Sequence, residues 1–294
     1  MGILNVTPDS FSDGGIWWRD GAPEARAAAE YGVQMARDGA AAVDVGPEAT
    51  SFHRPGIAPV AAAEQIARAI PVIRAMARMA GAPRTISIDT RSSAVAQAAL
   101  DAGATMINDV SAGLTDSQML KTAARANCQI ILMDGQFETP GVLAPRRANV
   151  LKEVCDFLTT RAAAAMDAGV RRENILLDPG IGFGKRSEDS WVLLHELRTL
   201  EHLGFPLVLG VSRKRFLMRG SDSPNYGPGS INSHEAPWPD DRNHNEDSLS
   251  VRDMLTATTM MLCFNHGVAF HRVHNVAYCA DAIRAQGDKL RKQK

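Results

Sequence analysis

Eight short apolar runs, each with a polar residue near its end, constrain the fold of this chain more than any other feature. The runs are MGILN, AAAVDVG, RTISIDT, TMINDV, QIILMD, NILLDPG, PLVLGVS and VAFHRVH. Most are separated by Ala-rich stretches long enough for a helix of three or more turns, so strands and helices alternate. Parallel strands require such crossover connections, and eight of them in one sheet predict an α/β fold, the (β/α)8 TIM barrel.

The polar residues at the ends of the runs predict a site on one rim of this barrel. They are Asn5, Asp44, Asp89, Asn108, Asp134, Asp178, Ser212 and His274. In such barrels the loops that follow the strands surround the ligand. The alternative is that these residues cap the following helices, and we expect this of one or two of them, including Asp134.

Length and composition fit one barrel domain, residues 1–294, and exclude several classes of protein. Lys plus Arg (32) nearly balance Asp plus Glu (33), which gives no sign of a nucleic-acid or membrane partner. No apolar stretch is long enough to span a bilayer, and no signal peptide is visible. The four cysteines lack a CxxC pair or metal-ligand spacing, which favours reduced, mostly buried thiols.

Residues 219–250 interrupt the alternation of strands and helices. They are rich in Gly, Ser, Pro, Asn and Asp and cannot build an element of the core. We therefore predict a long insertion in the loop after strand 7, followed by a helix that starts near Ser248 or Ser250 and runs to Asn265. The insertion could be a lid, but its composition favours an idle, disordered segment.

Two parts of the predicted rim suit a phosphate group. The first loop offers the oxygen donors Asn5, Asp9 and Asp13, which could serve a divalent cation bound to phosphate. The ends of strands 7 and 8 bring together a second set, which comprises Arg213, Lys214, Arg215, Arg272 and His274. Barrels commonly hold a phosphate at this place, so we favour an anion site over the alternative of an exposed basic turn.

Asp89, Asn108 and Asp178 come from strands 3, 4 and 6, so a barrel would point them into one central cavity. A heterocycle with an amino group and a ring NH could donate two hydrogen bonds to such a carboxylate. Structural hydrogen bonds across the barrel are the alternative. The segment LDPGIGFGK adds Phe183, on which a flat ligand could stack.

Six motifs in register identify a family resemblance that spans nearly the whole chain apart from the insertion. MGILNVTPDSFSDGG, ISIDT, NDVSAG, LDPGIGFGK, SRKRF and RVHNV closely resemble dihydropteroate synthase. The resemblance implies a transferase of folate biosynthesis and a target of sulfonamides. Its reaction condenses 6-hydroxymethyl-7,8-dihydropterin diphosphate with 4-aminobenzoate to 7,8-dihydropteroate and releases diphosphate.

The resemblance also implies the roles of individual residues. Residues that would hold the pterin are Asp89, Asn108, Asp178 and Lys214, with Met133 against its ring and Arg272 stacking on it, and Gly210 would also bind substrate. Asn5 would ligate Mg²⁺, while Arg54, Arg272 and His274 would neutralise the diphosphate. Residues of the first two loops that would close over the site and form the aminobenzoate pocket beside Phe183 are Phe11, Asp13, Thr50, Arg54 and Pro55. Catalytic roles would fall to Asp89, Lys214, Asp13 and Arg54, and Asp44 and Asp134 would support loops.

The chain departs from the family pattern in two loops. The usual ESTRPG appears as EATSFHRPG, with three extra residues, and the usual MHMQG appears as MDGQF, which puts Asp134 in place of His and is expected to loosen that loop. These departures leave a non-catalytic pterin-binding barrel as an alternative. A pterin-dependent methyltransferase is a second alternative, although it would have no use for a diphosphate site.

The resemblance carries expectations about partners and location. It implies small-molecule substrates and a homodimer. SRKRF, NDVSAG and RVHNV look more like the eukaryotic forms, which are commonly fused to a hydroxymethyldihydropterin pyrophosphokinase domain. The start of the chain inside the first strand fits a fragment of such a fusion. We expect a cytoplasmic location, or a mitochondrial one if a targeting segment lies upstream.

Overall fold

A computed structural model describes residues 1–8, 15–19, 22–48, 59–135, 147–218 and 246–292. The eight predicted strands are all present, each within its apolar run. They are β1 (Gly2–Asn5), β2 (Ala42–Gly46), β3 (Thr85–Asp89), β4 (Met106–Asp109), β5 (Gln129–Met133), β6 (Ile175–Asp178), β7 (Leu207–Leu209) and β8 (Val268–His271). A short antiparallel pair, Trp18–Arg19 with Ala22–Pro23, follows the first loop.

The strands pair in chain order, and every pair is parallel. The two ends of the sheet meet through the backbone of Val273, which forms a parallel bridge with Gly2. The Ile3 amide donates to the Val273 carbonyl at 3.0 Å, and the Val273 amide donates to the Met1 carbonyl at 2.9 Å. These bonds close the sheet and confirm the predicted (β/α)8 barrel.

The helices lie between the strands as the Ala-rich stretches predict. They are α1 (Ala25–Arg37), α2 (Ala62–Ala77), α3 (Ser93–Ala102), α4 (Met119–Ala126), α5 (Val150–Asp167), α6 (Ser187–His195), α7 (Leu197–Glu201), α8 (Glu246–Leu262) and α9 (Val276–Lys292). Helix α8 begins and ends a few residues earlier than predicted. Residues 246–250 therefore belong to this helix and not to the insertion, and residues 219–245 lie outside the described ranges.

Small residues let the outer helices pack closely. Ala28 and Ala29 of α1 are fully buried. A Cβ atom added at Gly32 would lie 2.5 Å from the Met76 sulfur of α2. The glycine therefore sets the distance between these two helices.

The lower part of the barrel interior is filled with apolar side chains from most of the strands. This lower layer comprises Met1, Ala42, Met106, Ile131, Leu176, Val208 and the partly buried Phe270. On β3 the matching position is the buried Ser87, which pairs in register with Met106. Because the lower layer occludes the barrel, a ligand has room only above it, at the carboxyl ends of the strands.

The helices and the cysteines of the described part of the chain bear on two expectations from composition. None of its helices has the length and apolar character that crossing a membrane demands. All four cysteines are free thiols, and Cys128, Cys263 and Cys279 are buried.

Candidate active site

Side chains two positions beyond the lower layer form the floor of the candidate site. Successive residues of a strand point to opposite faces, so residues two apart point the same way. This upper layer comprises Ile3, Asp44, Asp89, Asn108, Met133, Asp178, Gly210 and Arg272. Six of the eight are residues that the sequence assigned to ligand binding, and the alternation of the strands brings them together.

Arg272 joins the carboxylates of two neighbouring strands in this layer. Its Nε donates to Asp44 Oδ2 at 2.6 Å, and its Nη2 donates to Asp89 Oδ2 at 2.8 Å. The Asn108 amide also donates to Asp44 Oδ2, at 2.9 Å. Asp44 is therefore part of the site, and the expectation that it supports a loop is wrong. Its position near the end of the second apolar run, which put it on the predicted rim, was the signal in the sequence.

One oxygen of Asp44 and one oxygen of Asp89 lack a hydrogen-bond donor among the described residues. Asp44 Oδ1 and Asp89 Oδ1 are buried and accept no hydrogen bond from the described residues. Burial raises the pKa of Asp89 to about 7, although the nearby Arg272 acts in the opposite direction. A ligand with NH groups would supply the donors that these two oxygens lack.

Asp178, Phe183 and Lys214 form the opposite side of the cavity. Asp178 Oδ1 accepts a hydrogen bond of 2.7 Å from the Gly180 amide. The Lys214 Nζ donates to the Ile181 carbonyl and lies 4.3 Å from the centroid of the Phe183 ring. Burial raises the pKa of Asp178 and lowers the pKa of Lys214 to about 7, while their opposite charges oppose both shifts.

His274 and Ser212 lie together where strands β7 and β8 end. Ser212 Oγ lies 2.9 Å from His274 Nδ1 and accepts a hydrogen bond of 3.1 Å from the His274 amide. Burial holds the pKa of His274 well below its usual range, and the positive charges of Arg213, Arg272 and Lys214 lower it further. His274 is therefore a neutral hydrogen-bonding group near pH 7 in the ligand-free protein.

Arg213 does not belong to the anion site that the sequence predicted. Its guanidinium forms a two-pronged ion pair with Asp253 of α8, at 2.7 Å from Nε to Oδ1 and 3.0 Å from Nη2 to Oδ2. Lys214 turns instead toward Asp178 and Phe183. The side chain of Arg215 lies outside the described part of the structure.

Some of the remaining predicted residues lie in the described part of the chain and others do not. Met133 is buried at the end of β5, and a Cβ atom at Gly210 would meet nothing within 4 Å, so the cavity is open there. Asn5 ends β1 beside Gly46, whose added Cβ would lie 3.1 Å from Asn5 Oδ1. Six predicted residues lie outside the described ranges, namely Asp9, Phe11, Asp13, Thr50, Arg54 and Pro55.

Glu48 closes the base of the second loop, a role that the sequence analysis missed. It accepts hydrogen bonds from the Val60 amide at 2.8 Å and from the Arg91 Nη2 at 3.0 Å. Residues 48 and 60 flank the undescribed part of this loop, so Glu48 ties its two ends together and links them to the end of β3. Its position in the quoted EATSFHRPG motif was the available signal.

Asp134 is an ion-pair partner and not a helix cap. Its side chain is fully buried, and its Oδ2 lies 3.4 Å from both Lys185 Nζ and Arg147 Nη1. The cap of α5 is Asn149, which accepts a hydrogen bond of 3.0 Å from the Lys152 amide. The capping prediction is therefore wrong, whereas the loop that Asp134 was expected to loosen continues into residues 136–146, outside the described ranges.

A resident metal ion has little support in the described part of the chain. No group of three or more His, Cys, Asp or Glu residues there could hold a metal. Mg²⁺ takes few protein ligands when it arrives with substrate phosphates. The amide oxygen of Asn5 at the rim suits that second arrangement and not a metal site built from protein groups alone.

Comparison with known proteins identifies relatives along most of the chain. A family model described as pterin binding enzyme matches residues 1–274. The dihydropteroate synthase of Streptococcus pyogenes serotype M1 is 46% identical over 215 residues, which are 73% of this chain and 75% of that protein. The dihydropteroate synthase of Bacillus subtilis strain 168 is 41% identical over 225 residues, which are 76% of this chain and 73% of that protein.

Solved structures extend the similarity to nearly the whole chain. The Xanthomonas albilineans dihydropteroate synthase with 4-aminobenzoic acid is 35% identical, has a TM-score of 0.75, and is aligned over 99% of this chain and 92% of its own. The same enzyme in complex with 7,8-dihydropteroate gives 33% identity, a TM-score of 0.74 and coverage of 99% and 92%. The Yersinia pestis dihydropteroate synthase in a sulfonamide drug complex gives 29%, 0.80, and coverage of 100% and 94%.

Proposed function

Because the chain belongs to the pterin-binding enzymes, and among them to the dihydropteroate synthases, we propose that its rim site binds a pterin diphosphate and 4-aminobenzoate. The members of this family are transferases that join the two substrates and release diphosphate. The methyltransferase interpretation of the sequence is therefore wrong. What the geometry adds is a role for each side of the cavity.

The observation that carries the pterin assignment is the pair of buried carboxylate oxygens without a donor, Asp44 Oδ1 and Asp89 Oδ1. The edge of a pterin presents an amino group and a ring NH, which are donors of the kind these oxygens need. Asp178 and Lys214 supply a second acceptor and a donor across the cavity. Phe183, beside the Lys214 amine, offers an aromatic face to the flat ring.

Diphosphate departs from the rim, where its negative charge can be offset. Arg272, which its ion pairs with Asp44 and Asp89 hold at the end of β8, would place a positive charge beside the leaving group. His274 is neutral in the ligand-free protein and would donate a hydrogen bond from its ring to a phosphate oxygen. Fixed donors at the point where charge develops are worth more in a water-excluded site than in solution.

Mg²⁺ belongs to the proposal as a companion of the diphosphate, with Asn5 as its protein ligand. The cation would offset charge on the leaving group. The protein residues orient the substrates: the upper layer fixes the pterin plane, and Glu48 fixes the base of the loop that faces the rim. Closure of the first two loops would then exclude water from the reacting methylene group.

We expect diphosphate release only when both substrates and Mg²⁺ are mixed with the protein. A coupled diphosphate assay, run with each component omitted in turn, measures this directly. In the alternative of a non-catalytic pterin-binding barrel, the pterin would raise the melting temperature while no diphosphate appeared. That outcome would overturn the proposed activity and leave the pterin site intact.

We expect pterin affinity to pass through a maximum near pH 7. Asp89, whose pKa burial raises to about 7, loses its negative charge below that pH and then accepts from the ligand NH groups more weakly, so affinity falls on the acid side. Lys214, whose pKa burial lowers to about 7, loses its charge above it, which weakens binding on the alkaline side. Calorimetric titration with 6-hydroxymethyl-7,8-dihydropterin on both sides of pH 7 checks this.

Two variants separate the limbs of that pH profile. Asp89→Asn cannot ionise and is expected to flatten the acid limb. Lys214→Arg keeps its proton at every pH used and is expected to flatten the alkaline limb. An affinity that does not vary with pH in the unmodified protein would show that neither group contacts the pterin.

The other expectations stay predictions. They are the single domain, the idle insertion, the homodimer, the fused pyrophosphokinase domain, the cytoplasmic or mitochondrial location and the response to sulfonamides. The relatives named above are bacterial enzymes, so they give no support to a eukaryotic origin.

A further inference from the structure

The turn that presents Lys214 contains a residue in an unfavourable backbone conformation. Arg213 has a φ of +58°, in the left-handed region that side chains other than glycine rarely adopt. Such conformations persist only where the surrounding contacts enforce them, and they cluster at functional sites. The next residue is Lys214, whose amine lies 4.3 Å from the Phe183 ring centroid in the cavity.

Helix α8 supplies the contacts that enforce this conformation. The Arg213 guanidinium meets both carboxylate oxygens of Asp253, at 2.7 and 3.0 Å. The Arg213 backbone amide donates to Thr256 Oγ1 at 3.0 Å. Helix α8 thus fixes both the side chain and the backbone of Arg213.

Asp253 also connects the ends of the last two strands. It is 6% exposed, and its Oδ2 accepts a hydrogen bond of 2.9 Å from Asn275, which follows β8. A buried carboxylate with three fixed donors cannot move without breaking charge-assisted bonds. Its position is therefore as well defined as that of the residues in the upper layer.

We propose that Asp253 is a positioning residue for Lys214, because its ion pair holds Arg213 left-handed and thereby directs the next side chain toward Asp178 and Phe183. The proposal rests on the proposed function only in taking Lys214 as a pterin contact. If Arg213 relaxed to a right-handed or extended conformation, the chain direction at Lys214 would change, and its amine would leave the cavity. Among the described residues, Asp253 accepts its hydrogen bonds from Arg213 and Asn275 and from none of the upper layer.

The test starts from Asp253→Asn, which keeps the shape of the side chain but loses its charge. We expect this single variant to weaken pterin affinity and kcat/KM for the pterin diphosphate about tenfold. Two replacements of Arg213 are then compared in this background. Both Arg213→Gly and Arg213→Ala remove the guanidinium. Only glycine adopts a φ of +58° freely.

We expect Asp253→Asn/Arg213→Gly to recover to within about threefold of the unmodified protein, whereas Asp253→Asn/Arg213→Ala stays at least tenfold weaker. Equal affinities in the two double variants would overturn the proposal, because the effect would then not pass through the backbone of Arg213. Asp281→Asn, which breaks an exposed ion pair with Arg284 on α9, is the control and should match the unmodified protein.

Pterin affinity, measured by calorimetry, keeps this test separate from the proposed activity. If the unmodified protein binds pterin but releases no diphosphate, the synthase activity fails and the affinities still decide the role of Asp253. Thermal unfolding of each variant shows whether it is folded. If both double variants lose affinity only in proportion to their unfolded fraction, the loss comes from unfolding. That result would also overturn the positioning role of Asp253.

Discussion

Asp178→Ala and Lys214→Ala are each expected to abolish turnover. The two residues lie on the same side of the cavity, where their opposite charges act on each other, and the contact of Lys214 with Phe183 places its amine where a flat ligand would stack. Removing either would leave the opposite charge without its partner in a buried site and would remove a contact to the pterin. Loss of one charge-assisted contact in such a site commonly costs about 10²–10³ in rate.

Stability and activity should respond differently to these two changes. Burial disfavours the charged forms of both groups, because it raises the pKa of Asp178 and lowers the pKa of Lys214. The protein therefore holds this pair at a cost to its own stability, and Asp178→Asn should keep most of the melting temperature while losing turnover. Steady-state kinetics and thermal unfolding measure the two effects.

The exposed pair Lys152 and Asp156 provides a matched control, since its atoms lie 2.6 Å apart on α5. Lys152→Ala and Asp156→Ala should change neither turnover nor stability by a measurable amount. Near-normal turnover in Asp178→Ala or Lys214→Ala would show that the pterin is held elsewhere.

The largest loss of stability is expected from Asp134→Ala. This change leaves Lys185, whose side chain is fully buried, and Arg147, whose side chain is 5% exposed, without the carboxylate between them. Removing one partner of a buried ion pair costs about 3–5 kcal/mol, because an uncompensated charge remains in the interior. Urea unfolding measures the loss.

The pH dependence of this loss follows from Lys185. Burial lowers its pKa to about 8 in the folded protein, so between about 8 and the ordinary value of 10.5 the unfolded chain binds more protons than the folded one. Stability from this group therefore rises with pH in that window. In Asp134→Ala the loss should shrink at high pH, where Lys185 becomes neutral.

Lys185→Met in the Asp134→Ala background removes one of the stranded charges and should recover part of the lost stability. A loss below about 1 kcal/mol in Asp134→Ala would show that the ion pairs contribute no more than exposed ones.

The activity of the Asp134→Ala variant should also fall. The Asp134 carbonyl accepts from Lys185 at 2.7 Å and lies against Gly180, whose added Cβ would be 2.0 Å away, in the turn that follows Asp178.

The strands could be predicted from the sequence because parallel strands are buried on both faces. Each one is then a short, nearly continuous apolar run, and all eight runs contain the strand expected of them. Helix α8 was placed with less accuracy because it follows a polar segment that gives no clear start signal. The motifs that resemble dihydropteroate synthase identified the family, which the relatives confirm.

The alternation of side chains along a strand explains which site residues could be predicted from the sequence. Asp89, Asn108, Met133, Asp178 and Arg272 come from the quoted motifs or from the ends of the apolar runs, and they point into the barrel because alternate residues of a strand share a face. Asp44 follows this alternation as well, and its place near the end of its run put it on the predicted rim, but the sequence then assigned it to loop support. Its role depends on Arg272, which is 228 residues away.

The sequence by itself determined the barrel, the family and most of the upper layer, because strand periodicity and contiguous motifs are local properties of the chain. Only the tertiary structure decided the partners of the charged groups. Arg213 belongs with Asp253 and not with a phosphate, and Asp134 belongs with Lys185 and Arg147 and not with a helix end. Ion pairs form between side chains that folding brings within a few ångströms, and no spacing along the chain encodes that distance.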